Sequence, residues 1–320
     1  MPLNAQTKVL FFDIFGTTVQ WRTSVTKALQ EASAKALSET SLPGDVRAQA
    51  SAMTDDDWRC MVEDWRAAYS RFTRSYDPAQ SRGRSFVSID QHHYDALVEI
   101  LCQRQLEGLF PEAQLRALVL SWHGLDPWDD TVPGLALLGR QFRTAALSNA
   151  NVSLLEDLVR HGSLPFTDLV SAETFAAYKP SPRVYLGAAG KLGFQPGECA
   201  LVAAHLDDLR GAKECGFGTI YVERVGEEKL KLEDAVEEEY VDLSVEFGSG
   251  GFVEIARLLG VHEVQDIYLD TYVFAPVEPI QRQLHAKKCL MPHHCSVRPE
   301  DIVWRQQIKA FGRSDSGMSL

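Results

Sequence analysis

Asp13, the pair Ser148-Asn149, Lys179 and Asp208 are the positions of this chain best equipped to do chemistry together. Each lies at or beside the carboxyl end of a short apolar run. A carboxylate becomes a nucleophile when a neighbouring cation keeps it ionised and oriented, and Lys179 supplies that cation. A second carboxylate, Asp208, can then serve as a base. Each residue also has a plainer use. Asp13 and Ser148-Asn149 could be helix caps, and Lys179, which precedes a proline, could be a surface lysine.

The elements needed to position them can be read from the pattern. Residues 9–12 are four apolar side chains bounded by a turn signal, which predicts a buried parallel strand ending at Asp13. Gly16 then allows a sharp turn, and Thr17 and Thr18 offer hydroxyls beside the carboxylate. Further strands are expected at 144–148, 168–170, 199–204 and 219–222. Helices at 152–161, 182–192 and 207–215 alternate with them, each closed by glycine. Strand, helix, glycine, strand in repetition means right-handed βαβ units and a parallel sheet, whose chemistry gathers at the carboxyl ends of the strands.

Between Thr18 and Asp130 nothing reads as a strong strand. Helical spacing is expected at 21–37, at 58–72 and from Ser88 onward, and again at 115–122. Residues 38–57 read as polar and broken by Pro43-Gly44. The expected organisation is an α/β core of residues 1–18 and 131–260, with a helical cap of residues 19–130 inserted after the first strand. Residues 261–320 form an extension without the same rhythm. The acidic run 223–246 reads as a solvated face and loop.

The chain has 320 residues, 45% of them hydrophobic, and a formal charge of −12. A broad basic surface for nucleic acid or anionic membrane is therefore not expected, and a small anionic ligand must be held by a few local cations. No apolar run long enough to span a membrane and no signal-peptide pattern is seen, and the six cysteines form no CxxC pair. A cytoplasmic protein with free thiols is the expectation. Cys289, His293, His294 and Cys295 could bind zinc, but their spacing fits none of the common structural patterns, so no metal and no cofactor are expected.

Five stretches in order carry a family resemblance: Phe12-Asp13-Ile14-Phe15-Gly16-Thr17, Trp122-His123-Gly124-Leu125, Leu147-Ser148-Asn149, residues 177–185 around Lys179-Pro180, and residues 202–209 around Asp207-Asp208. Over residues 8–225 the chain resembles the haloacid dehalogenase superfamily, and within it the L-2-haloacid dehalogenases. The resemblance implies a Rossmann-like core with a helical cap. It also implies hydrolytic removal of halide from short 2-halo acids through an ester on Asp13, with Lys179 beside the carboxylates and Asp208 as general base. Thr17 and Ser148 would hold the substrate carboxylate. Asn149 and Arg66 would stabilise the departing halide, and Phe15 and His205 would line the pocket. Arg66 is preferred to Arg59, seven residues earlier on nearly the same helix face, because Trp65-Arg66-Ala67-Ala68-Tyr69 is closer to the family's cap pattern. The family's phosphatases carry a second Asp where this chain has Phe15, and its dehalogenases often have Tyr. The alternatives are a Mg²⁺-dependent phosphatase, a relative recruited to another small metabolite, or a non-catalytic binding protein. A homodimer is compatible with any of them.

Overall fold

The computed structural model describes residues 3–77, 86–228 and 239–261. The extension from residue 262 onward, with its Cys289, His293, His294 and Cys295, lies outside them. Strand β1 (Val9–Phe12) is fully buried, as a four-residue apolar run must be to sit inside a parallel sheet. It pairs with β2 (Arg143–Ser148) on one side and β4 (Cys199–Ala203) on the other. Outside β2 lies β3 (Asp168–Ser171), and beyond β4 lie β5 (Gly218–Val222) and β6 (Leu243–Val245). The order is β3-β2-β1-β4-β5-β6, with every neighbouring pair parallel.

The chain order reverses between β1 and β4, so the crevice beyond their carboxyl ends is where such a sheet takes a ligand. Phe12 is in register with Ala146 and Val202. Asp13 is the next residue, and its N–H still bonds Val202 O at 3.0 Å. It therefore emerges at the rim, level with the ends of both neighbours.

Among the described residues, the insertion expected as a cap carries five of the helices between β1 and β2: α1 (Arg22–Ser38), α2 (Gly44–Ala52), α3 (Asp55–Ser75), α4 (Ile89–Gln103) and α5 (Glu112–Val119). Helix α3 is the longest among the described residues, and its start is well specified. Thr54 Oγ1 accepts from Asp57 N, and Asp57 Oδ2 accepts from Thr54 N in return, with three acids in the first turn. Trp58, Met61, Val62, Trp65 and Tyr69 form its buried stripe at helical spacing. Helix α2 departs from the sequence expectation of a broken polar segment. Pro43 precedes its first turn, where the missing N–H would have had no intrahelical partner, so the proline begins a helix instead of interrupting one. Val46 and Ala50 bury its inner face.

Four helices follow β2 and the later strands or precede them: α6 (Thr131–Leu138), α7 (Val152–His161), α8 (Pro182–Leu192) and α9 (Leu206–Glu214), with α10 (Gly251–Leu258) closing the described chain. The acidic run departs from its expected solvated state in two ways. Its end supplies β6, and Arg224 and the side chain of Glu227 near its start are buried. Arg224 forks onto Asp130 at 2.6 and 2.8 Å, and its Nε donates to Thr17 O at 3.0 Å. That contact fixes the backbone of the loop carrying Asp13.

Candidate active site

The loop after β1 is shaped by two constraints. Gly16 has φ +81°, and a Cβ on it would stand 2.2 Å from Glu227 Oε2. Glycine is thus required by conformation and by space. Thr18 Oγ1 donates to Asp13 O at 2.6 Å, while Thr17 Oγ1 donates to Asp13 Oδ2 at 2.7 Å and accepts from Ala204 N at 2.9 Å.

Lys179 is 6% exposed, and all three of its ammonium protons have acceptors. Nζ lies 2.8 Å from Asp13 Oδ1, 2.5 Å from Asp208 Oδ2 and 2.9 Å from Leu147 O. Asn149 Oδ1 accepts the Lys179 N–H at 2.7 Å and so fixes the lysine's backbone. Burial would discharge the ammonium, but the two carboxylates outweigh it and hold its pKa above the ordinary lysine range. Burial would likewise neutralise Asp13, yet Lys179 and His205 hold that carboxyl far below the usual range. Asp208 is shifted the other way, by burial and by Asp13's charge acting against Lys179. One carboxylate is thus kept ionised while its neighbour is made more basic, a division that suits a nucleophile and a proton acceptor.

Three contributors were not picked out in the sequence. Tyr185, on α8, donates to Asp208 Oδ1 at 2.6 Å, and its place one helical turn after Lys179-Pro180 was the available signal. Tyr69 lines the cavity from α3. Glu227 accepts from Trp21 Nε1 at 2.9 Å and from Arg22 through Oε1, and meets His205 Nε2 at 3.1 Å through Oε2. It was hidden among other acids. His205, whose Nδ1 lies 3.1 Å from Asp13 Oδ2, therefore bridges two carboxylates. Burial opposes its charge, but those two contacts push its pKa up to about 9.

A cavity of about 80 Å³ opens between α3 and the strand ends. Asp13, Asn149, Lys179, His205, Asp207 and Asp208 line it from the sheet side, and Arg66, Tyr69 and Arg74 line it from α3. Among the described residues the Arg66 guanidinium makes no hydrogen bond or ion pair. It lies 4.5 Å from the Tyr69 ring centre and 5.8 Å from those of Phe15 and Trp21, so aromatic faces hold it while its N–H groups stay available. Arg59 is exposed and paired with Asp56. Phe15, Thr17 and Ser148 are not among the lining residues. Phe15 packs edge-on against Tyr69 and Trp122, the Thr17 hydroxyl is spent on Asp13 and Ala204, and Ser148 Oγ accepts from Ala150 N. Asp207 pairs with Arg74 at 2.8 Å across the mouth.

A model of haloacid dehalogenase-like hydrolases matches residues 7–216. The chain belongs to that family. The (S)-2-haloacid dehalogenase 1 of Pseudomonas sp. (strain CBS-3) is 34% identical over 122 residues, which are 37% of this chain and 54% of that protein. The glyceraldehyde 3-phosphate phosphatase of Methanopyrus kandleri (strain AV19) is 31% identical over 47% of this chain and 66% of its own length. The chain thus spans about half to two thirds of the length of these curated relatives. Among solved structures, the L-2-haloacid dehalogenase PA0810 superposes with a TM-score of 0.65 at 30% identity, over 80% of this chain and all of that one. The defluorinating L-2-haloacid dehalogenase Rha0230 gives 0.66 at 29%, over 79% and 95%.

Some members of the family are phosphatases, whose chemistry uses Mg²⁺, and the donor set of this hydrolase does not fit such an ion. Both Asp13 oxygens and both Asp208 oxygens already accept from Lys179, Thr17, His205 or Tyr185. Position 15 is a phenyl ring, and no three acidic, histidine or cysteine side chains converge on a metal position among the described residues.

Proposed function

We propose that this hydrolase removes halide from short 2-halo acids through an ester on Asp13. The observation that carries this reading is the pairing across the cavity: an ionised carboxylate on one wall, and on the other a guanidinium with no hydrogen bond or ion pair among the described residues. The resemblance to (S)-2-haloacid dehalogenases and to the structures of PA0810 and Rha0230 supports it.

Asp13 attacks C2 of the acid from the face opposite the halogen. The C2–halogen bond breaks, and halide leaves toward Arg66 and Asn149. A halide is already a weak base, so its departure needs no proton, and Phe15 is compatible with that. Water then adds to Cγ of the ester with Asp208 taking its proton, and the 2-hydroxy acid leaves.

The similarity to the Methanopyrus kandleri phosphatase favours a second reading, phosphate ester hydrolysis. Phosphoryl transfer needs a cation to offset phosphate charge and a proton for the departing alkoxide, and the side chain at position 15 supplies neither. The two are separated by measuring halide release from fluoro-, chloro- and bromo-acids beside a panel of phosphate esters. Halide release is expected. Single turnover in ¹⁸O-water should label Asp13 before product, and label appearing first in product would exclude the ester.

A further inference from the structure

The cavity wall supplied by α3 is more polar than the alkyl chain of a simple 2-halo acid requires. Arg66, Ser70 and Arg74 recur every four residues, which puts them on one ridge of the helix, and all three line the cavity with Thr73. Of the described residues around it, Tyr69 and Pro180 alone have mainly apolar side chains. An alkyl tail laid against this wall would strip water from arginine and hydroxyl groups and return no hydrogen bond. A tail ending in an anion would return one. Eight residues of helix separate Arg66 from Arg74, about 12 Å along the axis, so the wall offers two cationic positions. The first faces the halide, and the second has no part in that chemistry.

Arg74 already holds a carboxylate, and holds it loosely. Its guanidinium lies 2.8 Å from Asp207 Oδ2, yet the two side chains are 61% and 49% exposed. Exposed pairs of this kind contribute little to stability. Asp207 also has a second cation within reach, since Arg210 on the same helix stands 4.0 Å from its Oδ1. Releasing Arg74 therefore leaves the aspartate in water and beside Arg210, not stranded. Without Asp207 the cavity keeps four cations, Lys179, His205, Arg66 and Arg74, against Asp13 and Asp208. His205 counts among them because a pKa of about 9 leaves it charged at neutral pH. That excess equals the charge of a dicarboxylate. Arg66, Ser70, Arg74 and His205 also border a wider groove that carries Arg71, so the cavity opens outward on its arginine side.

We propose that Arg74 is the recognition site for a second carboxylate on the substrate, with Asp207 as its resting counter-ion, and that the preferred substrate is a 2-halo dicarboxylic acid. The inference rests on the dehalogenase reading and narrows its substrate class. C2 and the halogen lie between Asp13 and Arg66, and the distal carboxylate displaces Asp207 from Arg74. Arginine suits that exchange, because its planar fork donates to one carboxylate as readily as to another. The overall reaction is unchanged: one water enters, and halide, a proton and the 2-hydroxy dicarboxylate leave. Arg74 sets specificity without touching the reacting atoms.

The test compares halide release from 2-chlorosuccinate and 2-chlorobutanoate, acids of equal chain length, by the full-length protein. In the wild type kcat/KM should be higher for the dicarboxylate. In Arg74→Gln the ratio of the two values should fall by about 10- to 100-fold, the usual cost of losing a hydrogen-bonded charge partner. Calorimetry with halogen-free succinate and butanoate reads the same preference without turnover. Succinate should bind the wild type more tightly than butanoate does, and should lose most of that advantage in Arg74→Gln. It should bind Asp207→Asn about two- to fivefold more tightly than wild type, because the competing carboxylate is gone. A ratio unmoved by Arg74→Gln would overturn the proposal. Weaker succinate binding by Asp207→Asn would overturn it too, since Asp207 would then be holding Arg74 in place. Halide from no 2-halo acid at all overturns the dehalogenase reading, and this substrate with it. Halide from 2-chlorobutanoate with no preference for 2-chlorosuccinate overturns the proposal alone.

Discussion

Lys179 Nζ lies 2.8 Å from Asp13 Oδ1 with both side chains buried, and the same ammonium reaches Asp208 at 2.5 Å. One cation therefore bridges two carboxylates that would otherwise repel each other more strongly in a low-dielectric pocket. Lys179→Met should cost about 3–5 kcal/mol in urea unfolding, the usual result of stranding a buried charge, moderated as Asp208 takes up a proton. Turnover should fall by on the order of 10³-fold or more, because the nucleophile loses the partner that keeps it ionised. Unchanged stability would mean that water, not lysine, solvates the pair.

Arg66 and Arg59 share a helix but not a role. Arg66→Ala should slow halide release by about 10²–10³-fold, in line with loss of a preorganised donor. Its melting temperature should change little, since the guanidinium has no ion pair among the described residues. Arg59→Ala removes an exposed pair with Asp56 and should leave activity within about twofold. Equal losses from both, with matching drops in melting temperature, would reduce Arg66 to packing.

The strands were legible because parallel strands buried on both faces must be short apolar runs, and residues 9–12 and 199–203 are written that way. Asp13, Lys179 and Asp208 were legible because each follows such a strand or its turn at a regular interval. Helix α2 was not, because Pro43-Gly44 is the same signal whether it ends a helix or begins one. Glu227 was hidden for another reason. Its burial depends on Trp21, Arg22, Gly16 and His205, all distant in sequence, and no local pattern separates it from its solvated acidic neighbours. The preference for Arg66 over Arg59 needed the family pattern, since a seven-residue interval alone puts both on one helix face.

His123 joins α4 to α7. Its Nδ1 lies 2.8 Å from Asp157 Oδ2 and its Nε2 lies 3.1 Å from Asp90 Oδ1. Arg160 and Asn151 hold those same acids, and the His93 imidazole is near enough to feel the charge on His123. Burial lowers the His123 pKa, but the two acids outweigh it and raise it above 6.5. A raised histidine stabilises fully below its unfolded value and loses that stabilisation as pH climbs through the folded one. The wild-type melting temperature should therefore decline above pH 6.5 more steeply than that of His123→Gln. At pH 6 the variant should be less stable by about 1.5–3 kcal/mol, as expected for hydrogen bonds to charged groups. Parallel pH profiles would show that the bridge carries no charge.

The last prediction separates halide from phosphate chemistry and turns on Phe15. Its ring is 2% exposed and packs edge-on against Tyr69 and Trp122, below the Arg66 guanidinium. A phosphatase of this family places a second carboxylate there to protonate an alkoxide, and a metal ion close by to offset phosphate charge. Here the neighbouring carboxylate oxygens accept from Lys179, Thr17, His205 and Tyr185, and Asp207 is drawn to Arg74. Displacing those donors for Mg²⁺ would expose two cations to the ion, which costs more by Coulomb repulsion than one carboxylate contact returns. Halide release should therefore stay within about twofold after exhaustive EDTA treatment, and added Mg²⁺ should give no phosphatase activity above background. Asp207→Asn should leave both results unchanged, because its carboxylate pairs with Arg74 at the mouth and not with Asp13. If chelation abolishes turnover, Mg²⁺ restores hydrolysis of a phosphate ester and Asp207→Asn removes that activity, then Asp207 turns inward to hold a metal and the dehalogenase reading is wrong.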